Sequence, residues 1–82
     1  MPRFYFHLRD GTDVLLDPEG VQLAGLEAVR GEAMRAARDT LAHGLQDGML
    51  DLRPRIDIES ADGVIVHSLA LAVSFRTIAA AV

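Results

Sequence analysis

Apolar and polar residues alternate at the start of the chain, as they do in a half-buried β-strand. Phe4, Phe6 and Leu8 fall on one side of an extended segment, and polar side chains fall on the other. Turn residues follow at 10–13 and the apolar run 14–16 comes next, which predicts a hairpin with a loop of about four residues. The DPEG sequence at 17–20 is typical of a type I turn.

The period changes to that of a helix after residue 25. Apolar residues then recur at spacings of three and four, and charged residues occupy the opposite side. The apolar stripe consists of Leu26, Val29, Ala33, Ala37 and Leu41. Gly25 is expected to precede this helix and Gly48 to end it, with Gly44 as an earlier candidate for the end.

A second hairpin is indicated in the C-terminal half. Residues 55–60 alternate, and the Asp-Gly pair at 62–63 is a strong hairpin signal. The next residues, Val64, Ile65 and Val66, are apolar on both faces of a strand, and such a strand needs cover on both sides. Helical spacing of apolar residues returns at the end of the chain and predicts a short C-terminal helix, with Phe75, Ile78, Ala79 and Val82 on its apolar side.

These patterns predict an α+β fold for a single domain spanning residues 1–82. The element order is β-β-α-β-β, with an antiparallel sheet, one amphipathic helix on one face and a short C-terminal helix. The opposite face would carry polar residues on the first and third strands but apolar residues on the fourth. A second copy of the chain is the simplest cover for such a face, so we expect a homodimer with Val64, Ile65 and Val66 as interface candidates.

Composition narrows the classes of function. The formal net charge is −4, the pI is about 5.1, and there are eight Arg, no Lys and no Cys. An acidic chain lacks the basic footprint of a nucleic-acid binder, and disulfides and thiolate chemistry are excluded. The longest apolar run, at 69–73, is far shorter than the roughly 20 residues of a membrane helix. We therefore expect a soluble, cytoplasmic protein that binds neither nucleic acid nor membrane.

The residues that could support catalysis form no recognised motif. His7 and His67, with Asp57, Glu59 or Asp10, would form a metal or acid–base site only if the first and last strands were neighbours showing the same face. No histidine spacing typical of a metal site accompanies them. The acids of 10–19 miss the register of a calcium loop and are interpreted as turn residues that cap backbone N–H groups. No nucleophile motif or phosphate loop is present. We therefore expect no catalytic, cofactor-binding or metal-binding residues, and no enzymatic activity.

Arg30 is the one residue that conflicts with its local pattern. By helical angle it falls within the apolar stripe, where an unpaired charge would be costly. Asp17 and Glu19, in the turn just before the helix, are the expected partners. Arg30 is therefore interpreted as a structural clamp between turn and helix.

The chain resembles a known family in the segments MPRFYFHLRDG, DPEG, LEAVRGEAMRAARDTL and ADG. Together they are similar to a family of small bacterial proteins catalogued as a domain of unknown function, which opens with a Met-Pro-Arg-aromatic strand followed by a D-[PE]-E-G turn. The resemblance covers about residues 1–66 and implies a bacterial origin and the β-β-α-β-β order. It implies no reaction, ligand or catalytic residue. After Val66 the chain is longer and more apolar than in that family.

Three hypotheses about function follow. The first is a non-enzymatic, self-associating protein-interaction domain. The second is an antitoxin-like or regulatory protein that neutralises a partner, because the layout of residues 4–45 resembles the HicB-type antitoxins. The third is a metal-binding protein or enzyme that uses His7 and His67.

Overall fold

The structure, a computed structural model, describes residues 1–80 and has an α+β fold. Five antiparallel strands and two helices follow the predicted β-β-α-β-β order, with one edge strand in two pieces and a short C-terminal helix. In chain order the elements are β1 (Arg3–Asp10), β2 (Asp13–Leu15), β3 (Val21–Gln22), α1 (Leu26–Gln46), β4 (Arg55–Ser60), β5 (Ile65–Ala70) and α2 (Leu71–Ala80).

The strand order across the sheet is β2-β1-β4-β5. Strand β3 also pairs with β1, on the edge that β2 occupies: β2 lies beside residues 8–10 of β1 and β3 beside residues 3–4. The first and last long strands are therefore separated by β4. One edge of the sheet is formed by the two short strands, and the other edge is formed by β5 alone.

The core lies between α1 and the sheet, as the two hydrophobic periods predict. Alternate residues of β1 and β4 point toward α1, which presents its apolar stripe to them. Leu71, at the start of α2, closes the C-terminal end of this cluster. The buried apolar residues are Phe4, Val29, Ala33, Ala37, Leu41, Ile56, Ile58 and Leu71.

The ends of α1 are as predicted. Gly25 is its N-terminal cap residue, and the helix ends at Gln46, just before Gly48, whose φ is +76°. Gly44 lies within the last turn, where an added Cβ would lie 2.5 Å from the carbonyl oxygen of Met49. The residue at position 44 must be glycine so that the chain can fold back closely after α1.

One predicted boundary is wrong. The first hairpin has a two-residue loop rather than a loop of about four, because Asp10 pairs with Asp13. The C-terminal helix begins at Leu71, four residues before Phe75, so that β5 leads directly into it. Val82, predicted to lie on the apolar side of that helix, is outside the described residues. Within residues 1–80, neither helix combines the length and apolar character needed to cross a membrane.

Candidate functional site

The side of the sheet away from α1, here called the open face, carries most of the polar chemistry. Residues at odd positions of β1 point to it, and so do the residues of β4 that pair with them. The set comprises Tyr5, His7, Arg9, Arg55, Asp57 and Glu59. Because β1 and β4 are neighbours, these side chains form one cluster at the centre of the sheet.

Asp57 is the most highly bonded group of the open face and is only 4% exposed. Its Oδ2 accepts a hydrogen bond from Arg9 Nε at 2.9 Å. Its Oδ1 accepts from Arg55 Nε at 3.0 Å and from the hydroxyl of Ser68 at 2.7 Å. Arg9 and Arg55 lie directly opposite each other in the register, and the carboxylate between them offsets their repulsion.

The pKa of Asp57 reflects two opposing influences. Burial raises the pKa, because a desolvated carboxylate is less stable than a carboxylic acid. The hydrogen bonds from Arg55, Ser68 and Arg9 outweigh this effect, so the pKa lies below the ordinary value. Asp57 is therefore a charged, fully bonded structural group, rather than a carboxyl group available as a general acid.

The ring nitrogens of His7 also contact groups within the fold. Its Nδ1 accepts a hydrogen bond from the backbone N–H of Asp17 at 3.1 Å, which places the ring hydrogen on Nε2. Nε2 points toward Glu59, 3.5 Å from Oε1, and the ring stacks against Tyr5 at a centroid distance of 6.4 Å. His7 therefore links the turn after β2 to β4.

The structure does not bring His7 and His67 together. His67 is on β5, with β4 between it and β1, and it pairs in register with Ile58, which points toward α1. The two histidines thus lie on non-adjacent strands and opposite faces, so the geometry required for a shared metal or acid–base site is not met. Within residues 1–80, no three His, Asp or Glu side chains converge as metal ligands would.

Asp17 closes the edge formed by β2 and β3. Its Oδ2 accepts the backbone N–H of Phe6 at 3.1 Å, and its Oδ1 accepts those of Glu19 and Gly20 at 3.2 and 3.1 Å. Burial raises its pKa, but these backbone hydrogen bonds outweigh burial and lower the pKa below the ordinary value. The carboxylate thus replaces a strand partner for β1 where the edge strand is interrupted.

Gly20 makes this closure possible. Its φ is +67°, and an added Cβ would lie 2.7 Å from the carbonyl oxygen of Phe4 and 2.9 Å from the ring of Tyr5. The Arg3 side chain donates to the carbonyl oxygen of Glu19 at 2.8 Å and holds the turn from the outside. The turn at 17–20 is therefore packed directly against β1.

The expected clamp between Arg30 and this turn is not found. Arg30 is exposed, and no ion pair within residues 1–80 joins it to Asp17 or Glu19. Asp17 uses its oxygens on backbone N–H groups instead. Leu26, one turn earlier on the same stripe, is also exposed. The helical angle misplaced Arg30, because this side of the first helical turns is left uncovered.

Val64, Ile65 and Val66 have three different environments. Val64 lies in the turn before β5 and is exposed, and Val66 packs against the core. Ile65 pairs with Glu59 across a bulge, points to the open face and is 44% exposed. The strand is therefore not apolar on both faces along its length, and Ile65 is the one member of the three that adds apolar surface to the open face.

Sequence reasoning missed the bonding role of Asp57. Alternation predicts which face of β1 carries Arg9 and that Arg55 and Asp57 share one face of β4. Their contact also depends on which strands are neighbours, and alternation does not predict the strand order. The backbone cap predicted for Asp17 is confirmed, because its carboxylate accepts the N–H groups of Glu19 and Gly20, two and three residues later in the turn.

Comparisons with known proteins show a family. No curated protein and no solved structure matches the chain. A family model does match, over residues 3–72, and so extends past Val66 to include β5 and the start of α2. Since this match covers most of the sequence, the chain belongs to the family described as Domain of unknown function (DUF6894).

Proposed function

We propose that this protein is a non-enzymatic interaction domain that forms a homodimer through β5. Its two sheet edges carry this proposal. Within the described residues β5 pairs with β4 alone, so the outer row of its backbone N–H and C=O groups has no strand partner. A strand in this position is a template for pairing with another chain.

The residues of β5 favour such pairing. The strand, IVHSLA, contains no Asp, Glu, Lys, Arg or Pro, which are the residues that usually prevent edge-to-edge association. Exposed Ile65 is its first residue, and exposed Val64 immediately precedes it. Because two copies of β5 would meet about a twofold axis, each would place its uncharged strand against an identical one, without opposing like charges.

The polar groups are already hydrogen-bonded within the fold, and this supports a non-enzymatic role. His7 and Asp57 hold strands and turns together, and every buried side-chain nitrogen or oxygen within residues 1–80 has a hydrogen-bond partner. An acid–base site normally presents a group whose bonding is left open to substrate. The polar cluster of the open face instead supports the fold.

The alternative to this proposal is an antitoxin-like or regulatory role, in which the protein neutralises a partner. The observation that would select it is a neighbouring gene encoding a small basic protein.

Sedimentation equilibrium across low to high micromolar concentration tests the proposal, with two matched variants. Ile65→Lys places a charge on β5 opposite Glu59, and Val14→Glu places one on β2 opposite Arg9. Both original residues are exposed, and each new charge faces an opposite charge on its neighbouring strand, so both variants should fold.

We expect a wild-type dimer, with dimer affinity weakened by about tenfold in Ile65→Lys, equivalent to about 1.4 kcal/mol. Val14→Glu should associate like the wild type. A wild-type protein that stays monomeric at high micromolar concentration would overturn the proposal. So would a dimer weakened by Val14→Glu and not by Ile65→Lys.

A further inference from the structure

An apolar groove runs beside α1 on the side of the sheet opposite to the open face. It has a volume of about 310 Å³ and lies between α1 and the edge formed by β2. Its walls are mostly apolar and come from β1, the end of β2, the middle of α1 and β4. The lining residues are Phe6, Leu8, Leu15, Leu16, Asp17, Ala36, Thr40 and Ile56.

The groove exists because both helices lie toward the other end of the sheet. Helix α1 packs against β4, β5 and α2, and α2 packs against β5. Neighbouring strands are about 4.8 Å apart and packed helices 8–10 Å apart, so one helix covers about two strands. The half of the sheet formed by β1 and β2 therefore has room for one more helix, and Leu15 and Leu16 are 70% and 62% exposed there.

The α1 wall of the groove suits a helix as its occupant. Ala36 and Thr40 are one turn apart, and both are small enough to let a second helix approach closely. The hydroxyl of Thr40 is bonded to the carbonyl oxygen of Ala36 at 2.9 Å, so it presents no unpaired donor to an apolar ligand. A second cavity of about 220 Å³ continues past Leu8 and Thr40 to Gly44 and extends the groove along α1.

The charges around the groove define the partner further. Asp17 lines it, and Glu32 and Asp39 flank Ala36 on α1 at spacings of four and three residues, which places them on the same side of the helix. Glu32 is paired with Arg35 at 3.8 Å, whereas Asp39 has no ion pair within residues 1–80. Arg38 lines a different cavity, between α1 and α2. The groove is therefore apolar at its floor, with the carboxylate of Asp17 in its wall and that of Asp39 on the adjoining side of α1.

We propose that this groove binds an amphipathic helix of another protein, with an apolar stripe facing the groove and Lys or Arg along its flanks. The carboxylates of Asp17 and Asp39 disfavour the anionic headgroup of a lipid or the carboxylate of a fatty acid. They also disfavour a second copy of this chain, whose net charge is −4. The proposal does not depend on pairing through β5, which is at the opposite edge of the sheet.

Binding of synthetic peptides tests this directly. The probe is a fluorescently labelled helix of about three turns, with leucines at helical spacing and lysines elsewhere. One control peptide has glutamates in place of the lysines, and another has the same composition as the probe with the leucine stripe scrambled. Anisotropy gives the affinity, and amide chemical shifts of the ¹⁵N-labelled protein locate the peptide.

We expect saturable binding of the lysine peptide, with affinity reduced by about tenfold or more for each control peptide. The shifts should cluster at residues 15–17, 36 and 40. Leu16→Gln should weaken binding by about fivefold or more, whereas Leu26→Gln, which changes an exposed leucine outside the groove, should leave it unchanged. Circular dichroism confirms that both variants fold.

Several outcomes would overturn the proposal. These are no saturable binding, equal affinity for the lysine and glutamate peptides, or unchanged binding by Leu16→Gln. The same amide shifts produced by raising the protein concentration without peptide would assign the groove to a second copy. The same shifts produced by anionic lipid vesicles, without binding of the lysine peptide, would assign it to a membrane.

Discussion

The two edges of the sheet differ in whether their unpaired backbone N–H and C=O groups are covered. On one edge, β2 has three residues and β3 has two, and the segment between them contains Pro18 and folds back on β1 through Asp17. On the other edge, β5 runs for six residues without a charged residue or proline. The chain thus protects one edge with its own turn and leaves the other available for pairing.

This difference bears on the kind of assembly that is possible. A sheet with two free edges can add strands on both sides and grow into an open ribbon. A sheet with one free edge can pair that edge about a twofold axis and then has no further edge to offer. Closure of the β2–β3 edge by Asp17 would therefore make the proposed β5 pairing stop at a dimer.

The largest effect should come from opening the closed edge. Asp17→Ala leaves three backbone N–H groups without their acceptor, one of them on β1. We expect the free energy of unfolding to fall by about 3 kcal/mol, since each bond to a charged acceptor contributes about 1.5–3 kcal/mol before water replaces part of it. Urea unfolding measures this, and Asp13→Ala, on the exposed β2 strand, should change it by less than about 0.5 kcal/mol. Equal effects of the two variants would contradict the role of Asp17.

A smaller loss is expected when the turn is kept but cannot approach β1. Gly20→Ala combines a positive φ with contacts of 2.7 and 2.9 Å, whereas Gly63→Ala has a positive φ and open space around it. We expect losses of about 2 kcal/mol for Gly20→Ala and about 1 kcal/mol for Gly63→Ala in the free energy of unfolding. Equal losses would mean that the close packing of the 17–20 turn against β1 contributes nothing to the free energy of unfolding.

Ser68→Ala tests how β5 is held on its inner side. The substitution removes the hydroxyl that donates to Asp57, while Arg9 and Arg55 still bond to the carboxylate. We expect a loss of about 1 kcal/mol in unfolding free energy. Thr77→Ala, which removes an exposed hydroxyl on α2, is the control and should cost less than about 0.5 kcal/mol. Dimer affinity should not change with Ser68→Ala, and a marked change would place this hydroxyl in the interface.

The smallest change in unfolding free energy near neutral pH should come from a change of pH itself. Asp17 and Asp57 have pKa values lowered in the folded state, so their stabilisation is complete above the ordinary value of about 4 and is lost as pH falls through the lowered values. The difference in unfolding free energy between wild type and Asp17→Asn should be constant from pH 7 to 5 and shrink below pH of about 4. A difference that disappears by pH 5 would contradict the lowered pKa of Asp17.

Local pattern predicted the elements because each pattern has a local cause. Alternation in residues 4–8, the apolar stripe from Val29 to Leu41 and the Asp-Gly turn at 62–63 each depend on the backbone geometry of a few residues. The strands β1, β4 and β5, helix α1 and the two hairpins follow from them. The boundary between β5 and α2 could not be placed, because the apolar residues 69–73 suit either structure.

What depends on the arrangement of elements could not be obtained in this way. Placing Asp57 between Arg9 and Arg55 requires β4 to lie beside β1, and separating His7 from His67 requires the same order. Arg30 was misjudged because helical angle identifies a stripe but not how far the sheet covers it. The exposed Leu15 and Leu16 beside α1 show the same limit, since their exposure depends on the position of the helix across the sheet.

Hydrogen exchange measured at low and at high protein concentration compares the two edges in a single experiment. Pairing through β5 predicts that amides within Ile65–Ala70 become more protected as concentration rises, while those of residues 13–22 keep the same protection. Protection that rises at residues 13–22 instead, or that rises at neither edge up to high micromolar concentration, would contradict β5 as the self-association surface.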